Sequence, residues 1–297
     1  IIKKYLSGIG AAYLNSNGVE LTGGDDCAVL ATKAKLLIST DTSVAGIHFL
    51  KSMQPHAIAY RAVSTALSDI AAMGGVPTAF NLSLVIPTFD PSWMKDFRKG
   101  LIKISKEHKI PLIGGDLVKG PLQISVTVLG QPGRKILLRS GAKHGDILCL
   151  SGVLGQAYMG LKEFKSSSLI NAQTKPYLFP KAQVGYAQAI APYATAAIDV
   201  SDGIFQDLSH LIDQSNIGCE LDVEQVPVVD SLYQKQCLEF GDDYQLLFTV
   251  PPNKLALLQS KIKSMGKKCH TIGVMKGTRL KILNNPFKTI KNWDHFR

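Results

Sequence analysis

The stretch AIDVSDGIFQDL (residues 197–208) is an apolar run that breaks at an acid, turns through Ser-Asp-Gly and resumes with helical spacing. It reads as a strand ending at Asp199, a turn, and a helix with Ile204, Leu208, Leu211 and Ile212 on its inner face. A strand passing to a helix through a polar turn is the building unit of an α/β protein. Ser201 or Asp202 stands where a side chain caps the helix, whose first N–H groups favour an anion.

Five more stretches place aspartate where an apolar run ends. They are GGDDCAVL (23–30), LLISTDTSVAG (36–46), LSDIAAMGG (67–75), LIGGDLVKG (112–120) and EFGDDYQLLF (239–248). The chain has 17 Asp against 6 Glu. Asp is a poor helix and strand former, so a solvated helical surface does not account for this usage. A short carboxylate on a turn at a strand end is a rigid oxygen ligand for a hard cation. Several converging would hold more than one Mg²⁺, the usual equipment for handling phosphates.

Singly, each stretch also has a plain structural reading. Gly23-Gly24 and Asp25-Asp26 make an ordinary turn before a strand. Ser39-Thr40-Asp41 follows a strand over 35–39, where Asp41 serves a cation or caps its own turn. Asp69 sits at the edge of an apolar stripe (Ile58, Ala62, Ala66, Ile70) on a helix over 54–73, so it is ion-paired, ligating or at a cleft. Gly114-Gly115-Asp116 ends a short strand over 110–113, with glycines that let backbone approach a phosphate. Gly241-Asp242-Asp243 precedes a strand over 244–250 and shapes a turn or offers a ligand. Arg139 clamps a phosphoryl group or pairs within its turn. His48 is structural, exposed or functional.

Outward from these stretches the pattern stays mixed. Asp90-Pro91 caps a helix with Met94, Phe97, Leu101 and Ile104 inside, and 122–129 alternates as a strand. The polar turn RSGAKHGD (139–146) marks a domain boundary, giving domains 1–139 and 140–297. Beyond it come strands at 147–150, 194–200, 244–250 and 270–274, with helices after 151–155, from 204, and over 253–265.

Composition bounds the rest. With 297 residues, 45% hydrophobic and 19% charged, the chain has a real core. The most apolar region, 57–87, is broken by Arg61, Asp69, Gly74-Gly75 and Asn81, which argues against a membrane span. No signal peptide is evident, and the start IIKKYLSG lacks a Met, as if begun inside the natural sequence. Five scattered Cys without a CxxC pair suit a reduced, cytoplasmic protein with buried thiols. The net charge of +10 comes without any helix-turn-helix, finger or RNP pattern, so it reads as a basic surface attracting anionic small molecules, not nucleic acid. There is no P-loop, no HRD or DFG kinase set and no GxSxG.

The ordered set GGDDCAVL, ISTDTSVAGIHF, LSDIAAMGG, IGGDLVKG, RSGAKHGD, IDVSDGIFQDL, GDDYQLLFTV and KNWDHF resembles the thiamine-monophosphate kinase family. That family lies in the superfamily of aminoimidazole-ribonucleotide synthetase, selenophosphate synthetase and the hydrogenase-maturation dehydratase. The resemblance implies an N-terminal α/β domain for ATP, Mg²⁺ and dimerisation, its strands closing a β-barrel with a twin in a homodimer. It implies a C-terminal α/β domain with a mixed sheet and flanking helices, and an active site in the cleft between. The implied reaction, in the cytoplasm, is ATP plus thiamine monophosphate giving ADP and thiamine diphosphate.

Carried over motif by motif, Asp26, Ser39, Thr40, Asp41, Asp69, Asp116, Asp199 and Asp202 are implied as ligands of several Mg²⁺. Gly115, Asp116, Arg139 and Ser201 are implied as ATP contacts, and His48, Asp242 and Trp293 as substrate contacts. The family usually has Glu where this chain has Asp242, and an acid where it has Gln245. Residues 164–183 match poorly. No general base is expected, because the acceptor is a phosphate with a second pKa of about 6 and is largely ionised already. The alternatives are another ATP-using enzyme of the superfamily, aminoimidazole-ribonucleotide synthetase-like, or a non-catalytic basic nucleic-acid-binding protein.

Overall fold

The computed structural model describes residues 2–5, 8–17, 19–21, 29–30, 35–287 and 289–290. Asp25, Asp26 and Trp293 lie outside the described residues. The chain divides into two compact units, Ile1–Ile70 with Gly75–Pro132, and Ala71–Gly74 with Gly133–Arg297.

The first unit holds α1 (Ile2–Tyr5), β1 (Val19–Leu21), β2 (Val29–Leu30), β3 (Leu37–Val44) and most of α2 (Pro55–Ala72). It continues with β4 (Gly75–Ile86), α3 (Pro91–His108), β5 (Leu112–Lys119) and β6 (Gln123–Pro132). β1 and β2 pair with each other, and the main sheet runs β3-β6-β4-β5. β4 and β5 are parallel, joined across α3, and the other neighbours are antiparallel. As a single chain this sheet is open, with β3 and β5 at its edges.

Every residue of α2 from Ala57 to Ser68 is buried, so the expected single stripe is in fact a helix covered all round. Its neighbour α3 packs close: a Cβ at Gly100 would fall 2.0 Å from the His56 carbonyl oxygen. His56 Nδ1 lies 2.7 Å from Asp96 Oδ2, and the Tyr60 hydroxyl donates to Glu107 at 2.8 Å. Asp90 caps α3 as its sequence foretells, accepting from Ser92 N–H at 2.7 Å, and Met94, Phe97, Leu101 and Ile104 are buried.

Two expected turns are strand. Ser39-Thr40-Asp41 lies within β3, and Gly114-Gly115-Asp116 within β5. In β3 the hydroxyls of Thr40 and Thr42 pair across the ladder with Thr127 (2.9 Å) and Ser125 (2.8 Å), so polar residues suit a strand there. In β5 the glycine answers a close approach: a Cβ at Gly115 would fall 1.8 Å from the Leu82 carbonyl oxygen.

The second unit holds β7 (Ile147–Leu150), α4 (Gln156–Ser167), α5 (Lys175–Leu178), α6 (Val184–Ile190), β8 (Ala196–Val200) and α7 (Ile204–Ser215). Then come β9 (Cys219–Asp222), α8 (Gln234–Glu239), β10 (Gln245–Val250), α9 (Pro252–Ser264), β11 (His270–Met275) and β12 (Leu280–Leu283). They form one mixed sheet, β12-β9-β11-β7-β10-β8. A core lies on each face. One joins Leu148, Leu150, Ile198 and Leu247 to Ile204, Leu208 and Leu211 of α7. The other joins Cys149, Ala197, Leu246 and Phe248 to Tyr186 and Ile190 of α6 and Leu258 and Ile262 of α9. Burial on both faces explains why β8 and β10 lack a regular apolar–polar alternation. Cys149, Cys219 and Cys237 are buried free thiols, and Cys269 is half-buried.

Candidate functional site

In the first unit, strand alternation sets the geometry. Ser39 and Asp41 share the face of β3 that carries buried Leu37 and Ser43. From α2, Asp69 meets Ser39 there, accepting the Ser39 hydroxyl at Oδ2. Thr40 points to the opposite, open face. Asp116 stands in register with Ser83, which is in register with Ser125 and so with Thr42, and it belongs to that open face too. Its carboxylate accepts from Leu117 N–H at 2.8 Å. The structure therefore joins Ser39 to Asp69, sets Asp41 on the same face of β3 as Ser39, and turns Thr40 and Asp116 to the other face, while Gly115 lies in register with Asp41 on the far edge strand. His48 folds back on the end of β3, where its Nδ1 accepts from Val44 N–H at 3.0 Å. The neutral ring then carries its proton on Nε2.

In the second unit the acids gather where β8 ends. Asp199 is buried in the strand, in register with Leu246. The chain then turns through Ser201 and Asp202 to Gly203, whose φ of 104° belongs to the region that favours glycine. Gly203 is the helix cap and contributes no side chain, so neither Ser201 nor Asp202 caps α7 as expected. Asp207, in the first turn of α7, reaches back instead. Its Oδ2 accepts from Ser201 N–H at 3.0 Å and from Asp202 N–H at 3.1 Å. Beside it, Gln206 Nε2 donates to Asp202 Oδ2 at 3.2 Å. Burial first, and then the like charge of Asp199, push the Asp207 carboxyl up to about 8.

The Gly241–Tyr244 loop backs this turn. Asp242 N–H donates to the Ser201 carbonyl and Tyr244 N–H to that of Val200, both at 2.9 Å. Asp242 takes φ of 60°, and its Oδ1 accepts from the Tyr244 hydroxyl at 2.9 Å. Asp243 turns inward to the start of α4, where Oδ2 accepts from Gly155 N–H (2.5 Å) and Oδ1 from Ala157 N–H (3.0 Å). Burial pushes its carboxyl up to about 7, against the pull of those N–H groups. Gln245 accepts from Ser151 Oγ at 2.8 Å, a neutral contact where the family usually has an acid. Arg139 is exposed, and its carbonyl accepts from Ser215 Oγ at 2.8 Å.

Among the described residues, no three His, Cys, Asp or Glu side chains come together as a ready metal-holding group. The donor set nevertheless suits a hard cation. It consists of carboxylates and hydroxyls only, and buried Asp199 and Asp207 repel each other where a positive charge would relieve them. Asp207 was legible by the argument that singled out Asp69. It lies three residues after Ile204 and four before Leu211, on an apolar helical stripe.

Comparison with known proteins gives consistent matches. Residues 11–131 match the model of the AIR synthase related protein N-terminal domain, and residues 131–283 that of its C-terminal domain. A curated thiamine-monophosphate kinase of Buchnera aphidicola subsp. Schizaphis graminum is 36% identical, covering 95% of this chain and 94% of its own. That of Escherichia coli strain K12 is 35% identical, covering 93% and 89%. Among solved structures, thiamine-monophosphate kinase from Stenotrophomonas maltophilia K279a superposes with a TM-score of 0.86 at 30% identity, covering 94% and 95%. AaThiL complexed with AMPPCP and TMP gives 0.79 at 28% identity, covering 100% and 98%. The Escherichia coli hydrogenase maturation protein HypE, 18% identical with a TM-score of 0.75, shares the fold. No helix among the described residues is long and apolar enough to cross a membrane.

Proposed function

The chain belongs to the thiamine-monophosphate kinase family, and from that premise we infer how it transfers a phosphoryl group from ATP to thiamine monophosphate, giving ADP and thiamine diphosphate. Donor and acceptor are both phosphates, so the barrier is repulsion between anions. The attacking oxygen is already ionised at neutral pH, with a second pKa of about 6, and needs no general base. What the chain supplies is position and positive charge.

Mg²⁺, held by Asp26, Asp41, Asp69, Asp116, Asp199 and Asp202 with Ser39 and Thr40, would neutralise the phosphate oxygens. Gly115 and Asp116 in β5, Arg139, and Ser201 at the end of β8 take ATP. His48, whose Nε2–H is its donor, takes the substrate side with Asp242 and Trp293. Residues 1–139 act as the ATP, Mg²⁺ and dimerisation domain and residues 140–297 as the second domain, and the two groups of aspartates serve one reaction. The open face of the β3-β6-β4-β5 sheet is the subunit face of a homodimer, closing a barrel with its twin. Exposed Ile38 (61%) and Val118 (45%) on that face support this assignment. The enzyme works in the cytoplasm.

The observation that carries the site is Asp69, an acid in a helix otherwise buried all round, held by a hydroxyl of the neighbouring strand. Incubation with ATP, Mg²⁺ and thiamine monophosphate is expected to yield thiamine diphosphate. Free thiamine is expected to be inert, since an alcohol acceptor would need a base. Asp69→Asn is expected to lose about 100-fold or more in kcat; near-normal turnover would sink the metal assignment.

A further inference from the structure

We infer that Asp207 is a positioning residue for this reaction, a one-oxygen hydrogen-bond acceptor that sets the Ser201–Asp202 turn for ATP. The inference rests on the kinase reading above. It concerns a residue outside the implied ligand set, and it separates geometry from charge.

Three observations carry it. Both turn N–H groups land on the same atom, Oδ2 of Asp207, at 3.0 and 3.1 Å. The Ser201 carbonyl is fixed from the other side by Asp242 N–H at 2.9 Å, so the peptide groups at Ser201 are held by protein on both edges. The next helix residue back, Gln206, holds the Asp202 carboxylate through Nε2 at 3.2 Å. Two successive residues of one helical turn thus fix a single loop, one through its backbone and one through a side chain. With its backbone committed to protein partners, the turn meets a ligand through side chains.

The two hydrogen bonds do not themselves require a charge on Asp207, which is 2% exposed and gives both of them the same oxygen. An amide has one carbonyl oxygen, which is all the two N–H groups use. An asparagine should therefore do the same work, whereas a metal ligand or obligatory anion could not be so replaced.

The experiment compares Asp207→Asn with Asp207→Ala. Steady-state KM values are measured for ATP and for thiamine monophosphate, and binding of a non-hydrolysable ATP analogue with Mg²⁺ is measured by calorimetry. Asp207→Asn is expected to stay within about threefold of wild type for KM(ATP) and analogue affinity, keeping both hydrogen bonds. Asp207→Ala is expected to weaken both about tenfold or more, with KM for thiamine monophosphate within about twofold. The inference is overturned if Asp207→Asn is as impaired as Asp207→Ala, or if Asp207→Ala leaves analogue affinity unchanged. Should Asp207→Ala fail to fold, Asp207→Asn decides alone: wild-type-like affinity supports the role and a tenfold loss ends it. The calorimetry contains no thiamine. A protein that makes no thiamine diphosphate defeats the kinase reading, and the ranking of the two variants still tests Asp207.

Discussion

Strand β8 in the second unit buries all five of its residues, while β6 in the first buries every second one through Gly130. The first pattern belongs to a sheet with a core on each face, the second to a sheet packed on one face only. The open face of the first sheet is lined by Thr40, Thr42, Ser125, Thr127, Ser83 and Asp116, short polar side chains on a rigid ladder. The central strands of the second sheet have no such face, and its acids Asp199, Asp202 and Asp207 collect where β8 ends. One protein therefore holds its acids in two ways: carboxylates fixed by strand and helix positions, and carboxylates fixed by a hydrogen-bonded loop.

The contrast is sharpest in the cores. Phe248→Ala, in the sheet buried on both faces, is expected to cost about 3–5 kcal/mol by urea unfolding. Thr127→Ala on the open face is expected to cost under about 1.5 kcal/mol, one hydroxyl pair. Equal costs would erase the distinction between the sheets. Mg²⁺ with nucleotide probes both acidic groups together: at 100 times Kd it should stabilise the fold by about 2.7 kcal/mol in a thermal shift. A fold indifferent to both would count against either kind of site being assembled.

Asp243→Asn separates the loop acids. Asp243 uses one oxygen for Gly155 and the other for Ala157, so an amide can satisfy only one of them, and the expected cost is about 1–3 kcal/mol. Asp207→Asn, with both bonds on one oxygen, should not show this loss. The pH dependence follows from the raised carboxyl. The folded protein holds the Asp243 proton more tightly than the unfolded chain, with a pKa of about 7. Its contribution is therefore full below about pH 4 and is lost as pH rises through 7. In metal-free protein, Asp243→Asn should flatten that slope. The smallest effect on chain stability is expected for Ile38→Lys, within about 0.5 kcal/mol. Its effect on assembly should be plain in sedimentation, as a halved mass; an unchanged dimer would remove the open sheet face from the interface.

Much of this was readable from side-chain spacing. The helix after Asp90 follows from periodicity and a local cap, and the helix over 54–73 is where its spacing puts it although its burial runs all round and not along one stripe. Asp69 was found because an acid on a buried stripe demands a reason. The errors share one cause. Ser39-Thr40-Asp41 and Gly114-Gly115-Asp116 look like turns because their residues favour turns, yet a cross-strand hydroxyl ladder and the nearness of Leu82 make them strand. The cap of α7 differs for a similar reason: Ser201 and Asp202 are the nearest polar side chains, but the residue that holds the turn, Asp207, lies further into the helix. Both depend on contacts that spacing alone does not weigh.

The all-round burial of α2 also bears on how the chain is made. Translation delivers α2 before α3, β5 and β6, and β6 touches it late in the unit, where a Cβ at Gly130 would fall 2.8 Å from Ile70. At ribosomal speeds of about 5–20 residues per second, the helix waits on the order of seconds for its cover. During that wait a nascent chain leaves the apolar residues of α2 open to solvent. Products that stop short of residue 132 are therefore expected to aggregate.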